Sequence, residues 1–337
     1  TAPYIVGCRP ADPVCSSFLV AGLGALMHTG NKEIIEEAYE AFKAWENVLL
    51  ERSDNYIVNY SHYGDWASPQ GSCVSDEDAK SAVTPGILMS TGYSYYNCKL
   101  LAEFAKLLGK EIDEQYYLQT ADNIKKAFLD KWFDENTGKV ATGSQACQAF
   151  PLWLGIIPKE YKKKAAAVLC EDLLKNKYKV TTGNLCSRYI YDALTESGHI
   201  DEAWEIITGE EYPSLGFMIQ NEATTIWERY ELKKNPGMNS HNHPMYGAVD
   251  YWFYAYLCGL KPTSPGWKTF TVKPYFPKKL LSAHARVETP MGSIVVKWLK
   301  QYGKTQLYVT VPFGTAATVE FGDNTYQLTC GFYNFSI

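Results

Sequence analysis

Residues 31–50 read NKEIIEEAYEAFKAWENVLL. Ile34, Ile35, Ala38, Tyr39, Phe42, Trp45, Val48 and Leu49 recur at steps of three and four, which lays an apolar stripe along one face of a helix. The same period continues down the chain. Thr84, just ahead of Pro85, begins a helix that runs through Tyr93, Tyr96, Leu100, Leu101 and Phe104 to Gly109. Asp113 to Trp132 follows, then segments near 145–155, 158–176, 183–197, 201–208 and 243–259. Gly143, Pro158, Gly183, Gly198 and Pro213 punctuate them. Roughly nine or ten helices with no strand block between them predict an α/α toroid or a helical array. No repeat of roughly 34 to 45 residues supports a solenoid.

The period changes at Pro262. Lys261 to Trp267 is rich in Pro, Gly and Ser and reads as a linker. Short alternating runs follow: Phe270–Val272, Ala283–Glu288, Ser293–Leu299, Gln306–Pro312 and Ala317–Phe321. Gly292, Gly303, Gly314 and Asp323-Asn324 separate them, the pattern of a small antiparallel β-sandwich. The expected domains are therefore 1–261, helical, and 262–337, β.

Composition excludes several function classes. A net charge of −5 does not suit a nucleic-acid or anionic membrane partner. No stretch approaches the ~20 apolar residues that span a bilayer; Val249 to Leu260 is shorter and carries Asp250. Nine cysteines, odd in number and irregularly spaced with no CxxC, read as scattered thiols, neither a disulfide framework nor a zinc site. The chain has no P-loop, no GxSxG elbow and no GxGxxG ahead of a helix, so no cofactor is expected. The acidic run Asp76-Glu77-Asp78 reads as a solvated helix start. Aromatic residues make up 14% of the chain, enough to fill a core and leave platforms on which sugar faces stack.

Three loop clusters carry candidate chemistry. In Tyr63-Gly64-Asp65-Trp66 a carboxylate beside an indole suits sugar hydroxyls and an apolar sugar face, though a plain surface turn has the same composition. In Trp227-Glu228-Arg229-Tyr230 the acid reads either as a hydrolytic general base, kept ionised by Arg and screened from water by the ring, or as a partner in a salt bridge at a helix start. In His241-Asn242-His243 the two imidazoles stand at i and i+2 without HExxH spacing or a third ligand nearby. They read as hydrogen-bonding groups, and no metal is expected.

Order and spacing of further runs carry a resemblance. Tyr212-Pro213-Ser214, Gly216-Phe217-Met218-Ile219 and Ala223-Thr224-Thr225-Ile226-Trp227-Glu228-Arg229 are followed by Gly237-Met238-Asn239-Ser240-His241-Asn242-His243 and Tyr246-Gly247-Ala248-Val249. With Tyr63-Gly64-Asp65-Trp66, Thr182-Gly183-Asn184 and the tail from Pro265-Gly266-Trp267, the chain resembles bacterial α-L-rhamnosidases, glycoside hydrolase family 78, over essentially its whole length. The resemblance implies an (α/α)6 toroid followed by a β-sandwich, and hydrolysis of terminal α-L-rhamnosides with inversion. Inversion uses two carboxyl groups roughly 6.5–9.5 Å apart with a water between. Glu228 then matches the general base, His243 a rhamnose contact, Asp65 and Trp66 the cleft wall, and Trp227 a ring beneath or against the sugar. The implied partner is a rhamnose-containing glycoside, and the resemblance leans toward a location outside the cytoplasm.

One departure stands out. The family's general acid lies in a segment of the form RxERxGWxGD, absent from these 337 residues. Together with a helix count short of an (α/α)6 toroid, this leads to the expectation that the N-terminal helices and the acid lie upstream of Thr1. Two alternatives stay open: a non-catalytic carbohydrate-binding relative, and a substitute acid such as Glu222. A different α/α-toroid glycosidase or a polysaccharide lyase is a further reading, against which the Thr-Thr-Ile-Trp-Glu-Arg run argues.

Overall fold

Helical periodicity becomes helical hairpins. In the computed structural model, which describes residues 11–69, 81, 83–232 and 240–337, α1 (Ser17–Thr29) is followed by α2 (Glu33–Glu51). The stripe on α2 buries Ile35, Tyr39, Phe42, Trp45 and Leu49. Ile34 falls off it and stands 36% exposed, while Glu46 falls on it and is fully buried. A ribbon of β1 (Ser53–Asp54) and β2 (Ile57–Val58) precedes α3 (Gly86–Leu107) and α4 (Glu111–Trp132), which pack as an antiparallel hairpin. A second ribbon, β3 (Phe133–Asp134) with β4 (Lys139–Val140), leads to α5 (Gln145–Leu154), α6 (Lys162–Lys175), α7 (Cys186–Glu196), α8 (Ile200–Thr208), the short α9 (Leu215–Gln220) and α10 (Ala248–Trp252).

Burial separates two kinds of helix. Along α3, Leu88 to Tyr95 is a continuous buried run, and α5 is buried from Gln145 to Leu152. Their partners show only a stripe: Tyr117, Thr120, Ala121, Ile124 and Phe128 on α4, and Ala165, Ala166, Leu169 and Leu173 on α6. A helix covered on nearly all sides is an interior helix, and one with a single stripe is its outer return. Because α3, α5 and α7 touch in succession while α4, α6 and α8 return outside them, the arrangement is that of an α/α toroid. The segment expected as one helix over 243–259 is instead a 3₁₀ turn at Met245–Gly247, then α10, then a π turn at Phe253–Leu257. Pro244 and Gly247 punctuate its beginning.

The chain separates into two compact units. One holds the described residues through Val20 and Ala38–Val249; the other holds Ala21–Glu37 and Asp250–Ile337. In the second unit, β5 (Leu260–Pro262), β6 (Thr269–Val272), β7 (Ser282–Thr289), β8 (Gly292–Gln301), β9 (Lys304–Val311), β10 (Ala316–Phe321), β11 (Asn324–Leu328) and β12 (Gly331–Ser336) form two four-stranded sheets. Their orders are β11-β10-β6-β5 and β12-β9-β8-β7. Trp298, Val296, Leu307, Phe270, Val319 and Phe321 are buried in one shared core.

Two details differ from the sequence reading. β10 pairs with β6 in parallel, Ala316 opposite Thr269 through Val319 opposite Val272, because the chain leaves for the other sheet between them. The stretch read as a linker begins as β5, whose Pro262 is tolerated because β5 is an edge strand. Asp76-Glu77-Asp78 and Gly237-Met238-Asn239 lie outside the described residues. Among the described residues, no helix is long and apolar enough to cross a membrane.

Candidate active site

The first N–H groups of a helix have no intrahelical acceptor, and a carboxylate placed there both bonds them and opposes the helix dipole. Asp65 does this for α7 from across the chain. Its carboxylate accepts the Gly183 N–H at 2.7 Å and the Cys186 N–H at 3.0 Å, and the neighbouring Trp66 carbonyl accepts the Asn184 N–H at 2.8 Å. Asp65 is fully buried. Burial pushes its carboxyl up to about 6, with the two amide bonds pulling the other way. The carboxylate expected on the cleft wall therefore faces backbone amides. Gly183 permits the close approach: a Cβ there would lie 2.3 Å from the Trp66 carbonyl oxygen and 2.4 Å from that of Asp65. Trp66 itself is half-buried, with its ring edge-on to Tyr63 at 4.5 Å.

Asp12, to which the sequence reading gave no role, anchors the start of the same loop. Its carboxylate accepts the backbone N–H groups of His62 and of Tyr63, the latter at 2.6 Å. A single acid about fifty residues away leaves no local pattern in the sequence.

Glu228 is held by a second, loop-to-loop lattice. Its N–H donates to the Ser240 carbonyl at 2.8 Å, and the Ser240 N–H donates back to Glu228 Oε2 at 2.9 Å. His243 N–H donates to the Ile226 carbonyl at 2.9 Å, and the Thr225 hydroxyl to the His241 carbonyl. Glu228 is half-buried, and among the described residues nothing donates to its Oε1. The salt bridge weighed from sequence forms elsewhere: Arg229 pairs with Glu231 at 3.2 Å, both buried. Trp227 is 3% exposed and stacks on the exposed His241, rings 4.6 Å apart and 18° from parallel. It sits beneath the loop surface. His243 is half-buried, and its Nδ1 accepts the Met245 N–H at 3.4 Å. In the neutral ring that leaves Nε2 as the donor.

Tyrosines join the two lattices. Tyr230 and Tyr246 lie 4.5 Å apart; the Tyr246 hydroxyl donates to the Ala67 carbonyl at 3.4 Å, and the Tyr230 hydroxyl lies 3.5 Å from Ser187 Oγ. Burial pushes the Tyr230 phenol up to about 12 and that of Tyr246 well above its ordinary range. The 62–67 loop, the start of α7, the 226–231 run and the 240–246 run are thus one connected assembly. A cavity of about 510 Å³ opens nearby, walled by Pro69, Val83, Thr142, Thr181, Tyr212 and Pro213 among others. Val83, Thr142, Thr181 and Pro213 stand just before α3, α5, α7 and α9, and Asp172, Lys175 and Asn176 at the end of α6 complete the wall. None of Glu228, Asp65, Trp66, Trp227 or His243 lines it.

Residues 18–257 match the bacterial alpha-L-rhamnosidase 6 hairpin glycosidase domain, and residues 259–331 match the bacterial alpha-L-rhamnosidase C-terminal domain. The chain belongs to the bacterial α-L-rhamnosidase family. An α-L-rhamnosidase from Alteromonas sp. (strain LOR) is 33% identical over 299 residues, which is 86% of this chain and 32% of that protein. One from Formosa agariphila is 30% identical over 315 residues, 91% of this chain and 34% of that protein. The chain thus spans about a third of the length of these rhamnosidases. Among solved rhamnosidases, that of Dictyoglumus thermophilum superposes with a TM-score of 0.90 at 32% identity, covering 98% of this chain and 40% of that one. The Streptomyces avermitilis enzyme, solved in complex with L-rhamnose, gives 0.86 at 26% identity, covering 96% and 33%.

Proposed function

We propose that this chain supplies the general base and part of the sugar-binding wall of an inverting α-L-rhamnosidase, acting on a terminal rhamnose of a glycoside. The observation that carries the reading is the state of Glu228. One oxygen is pinned by a backbone N–H, the other accepts from no described residue, and Arg229 pairs with Glu231. A carboxylate fixed through one oxygen presents the other in a constant direction, as a base that orients a water requires. His243 then offers its Nε2–H to a sugar hydroxyl, and Trp66 offers a partly exposed indole to a sugar face. Trp227 backs the loop, and Asp65 is a positioning residue that sets Trp66 against the start of α7.

The acid of the pair is proposed to come from the segment that the family resemblance places upstream of residue 1. Glu222, the internal alternative, is exposed and sits in a left-handed turn (φ 63°) just past α9. The boundary at 261/262 is proposed as the division between the catalytic helical part and the β part, and a location outside the cytoplasm rests on the resemblance alone.

The test is release of L-rhamnose from an aryl rhamnoside by the complete enzyme and its variants. Glu228→Gln is expected to lower kcat by ~10²–10⁴-fold, and Glu222→Gln to leave it within a few-fold. An unchanged rate in Glu228→Gln removes the base assignment, and a collapse in Glu222→Gln moves the acid into this chain. Calorimetry that shows rhamnose binding without turnover in the complete enzyme would favour a binding protein instead.

A further inference from the structure

Cys170 on α6, His199 immediately before α8 and Glu202 in the first turn of α8 bring a thiol, an imidazole and a carboxylate together; one ligand atom from each lies within 4.8 Å of the others. All three are half-buried, and none belongs to the assembly around Glu228. We propose that they bind a divalent transition-metal ion, zinc by its ligand preference, which clasps α6 to the turn between α7 and α8.

The backbone fixes two of the three. Gly198 adopts φ 91°, in the left-handed region, and turns the chain sharply between the helices. His199 is then held from both sides: its N–H donates to the Leu194 carbonyl at 2.8 Å, and its carbonyl accepts the Ala203 N–H at 3.1 Å. Its Nδ1 lies 3.5 Å from Glu202 Oε1. That is long for a hydrogen bond. It is close to the ~3.4 Å that separates two tetrahedral ligands each about 2.0–2.1 Å from a zinc ion. Cys170 completes a face of the tetrahedron after small rotamer changes in partly exposed side chains, since a Zn–S bond is about 2.3 Å. A fourth position remains for water.

A dication placed among these three groups would take the thiol as a thiolate, its proton leaving to solvent. Asp201 and Glu202 offset the positive start of α8. The donor set selects the metal. Thiolate with imidazole suits zinc, whereas calcium and magnesium take oxygen ligands. This departs from the sequence reading, which expected no metal. The three ligands are 29 and 3 residues apart, and only the packing of α6 beside the α7–α8 turn brings them together.

The experiment is titration of the reduced, chelator-stripped chain with cobalt(II), followed by displacement with zinc. One equivalent of cobalt is expected to give a thiolate-to-metal charge-transfer band and the intense visible bands of four-coordinate cobalt. Zinc should bleach them and raise the melting temperature. Cys170→Ser should abolish the charge-transfer band. His199→Gln and Glu202→Gln, both at partly exposed positions, should each weaken zinc binding by more than roughly 100-fold, since even second-shell changes cost 10–100-fold. Absence of a thiolate band in the original chain overturns the proposal. So does a band that survives at full strength in His199→Gln and Glu202→Gln, which decide the matter even if Cys170→Ser fails to fold.

Discussion

The Asp65 carboxylate receives the Gly183 N–H at 2.7 Å across 118 residues of chain. This bond holds the Trp66 loop onto the start of α7, and Gly183 is the residue that lets the two backbones meet. In Gly183→Ala the new Cβ would fall 2.3 Å from the Trp66 carbonyl oxygen, against backbone that cannot swing aside. A loss of about 1–3 kcal/mol is expected from overpacking at this site. It should appear as a lower denaturation midpoint, together with a changed Trp66 environment in fluorescence. A variant as stable as the parent would show that the loop is free to move.

Asp65→Asn separates charge from shape. The amide keeps one acceptor but turns an N–H₂ toward a backbone donor, and an unmet buried donor costs about 1–3 kcal/mol. Urea unfolding at neutral pH measures it. The pH dependence adds a signature. Asp65 holds its proton more tightly when folded, to about 6 from an ordinary 3.8, so its contribution to stability falls as pH rises through that window. Asp65→Asn should remove that slope.

Much of this assembly was legible in the sequence as residue types and little of it as roles. The stripe on α2, the alternating strands and the loop clusters at 63–66, 227–230 and 241–243 each follow from local pattern, and each appears in the structure. Asp65 reads as a ligand for sugar hydroxyls because an acid beside a Trp in a loop has that composition. Its full burial under the start of α7 depends on a contact more than a hundred residues away. Arg229 reads as a neighbour for Glu228 by adjacency, yet adjacent residues on an irregular segment need not face each other, and it turns to Glu231. Asp12 leaves no signal, and Tyr230 and Tyr246 stand in the quoted runs without their roles, because those roles exist only once distant loops meet.

Glu46 makes a second pH prediction. It is wholly buried on α2, accepting from Ser94 Oγ at 2.5 Å, Asn97 Nδ2 at 2.9 Å and Cys98 Sγ at 3.5 Å. Burial outweighs these bonds and pushes the carboxyl up to about 8. The folded chain therefore binds a proton that the unfolded chain releases near 4.5, and stability should fall as pH rises from about 4.5 to about 8. Glu46→Gln, neutral at every pH, should flatten that part of the curve of melting temperature against pH. An equally steep curve in the variant would place the titration on another group.

In the second unit, Trp298 is the residue on which the sandwich core depends most visibly. It is fully buried, meets Phe276 edge-on at 4.9 Å and donates its indole N–H to the Leu257 carbonyl at 2.6 Å. Trp298→Ala should cost about 3–5 kcal/mol for the cavity, with the orphaned carbonyl adding to it. Trp298→Phe refills most of the volume but leaves the carbonyl unpaired, so it should recover the larger share. Equal losses in the two variants would mean that the hydrogen bond, and not packing, dominates.

The last prediction separates binding from chemistry at the proposed site. If His243 donates Nε2–H to a rhamnose hydroxyl in both ground and transition states, His243→Ala removes uniform binding, which raises KM and spares kcat. One lost hydrogen bond of about 0.5–1.5 kcal/mol corresponds to a two- to twelve-fold rise in KM. Glu228→Gln should do the reverse, with a large fall in kcat and little change in KM, because the base acts only as the water attacks. The backbone bonds from His243 to Ile226 and between Ser240 and Glu228 survive both substitutions. The base loop should therefore stay in place, and a split between the two variants reports the side chains alone. If His243→Ala instead lowered kcat as far as Glu228→Gln does, the imidazole would belong to the proton-transfer machinery and not to the sugar-binding wall.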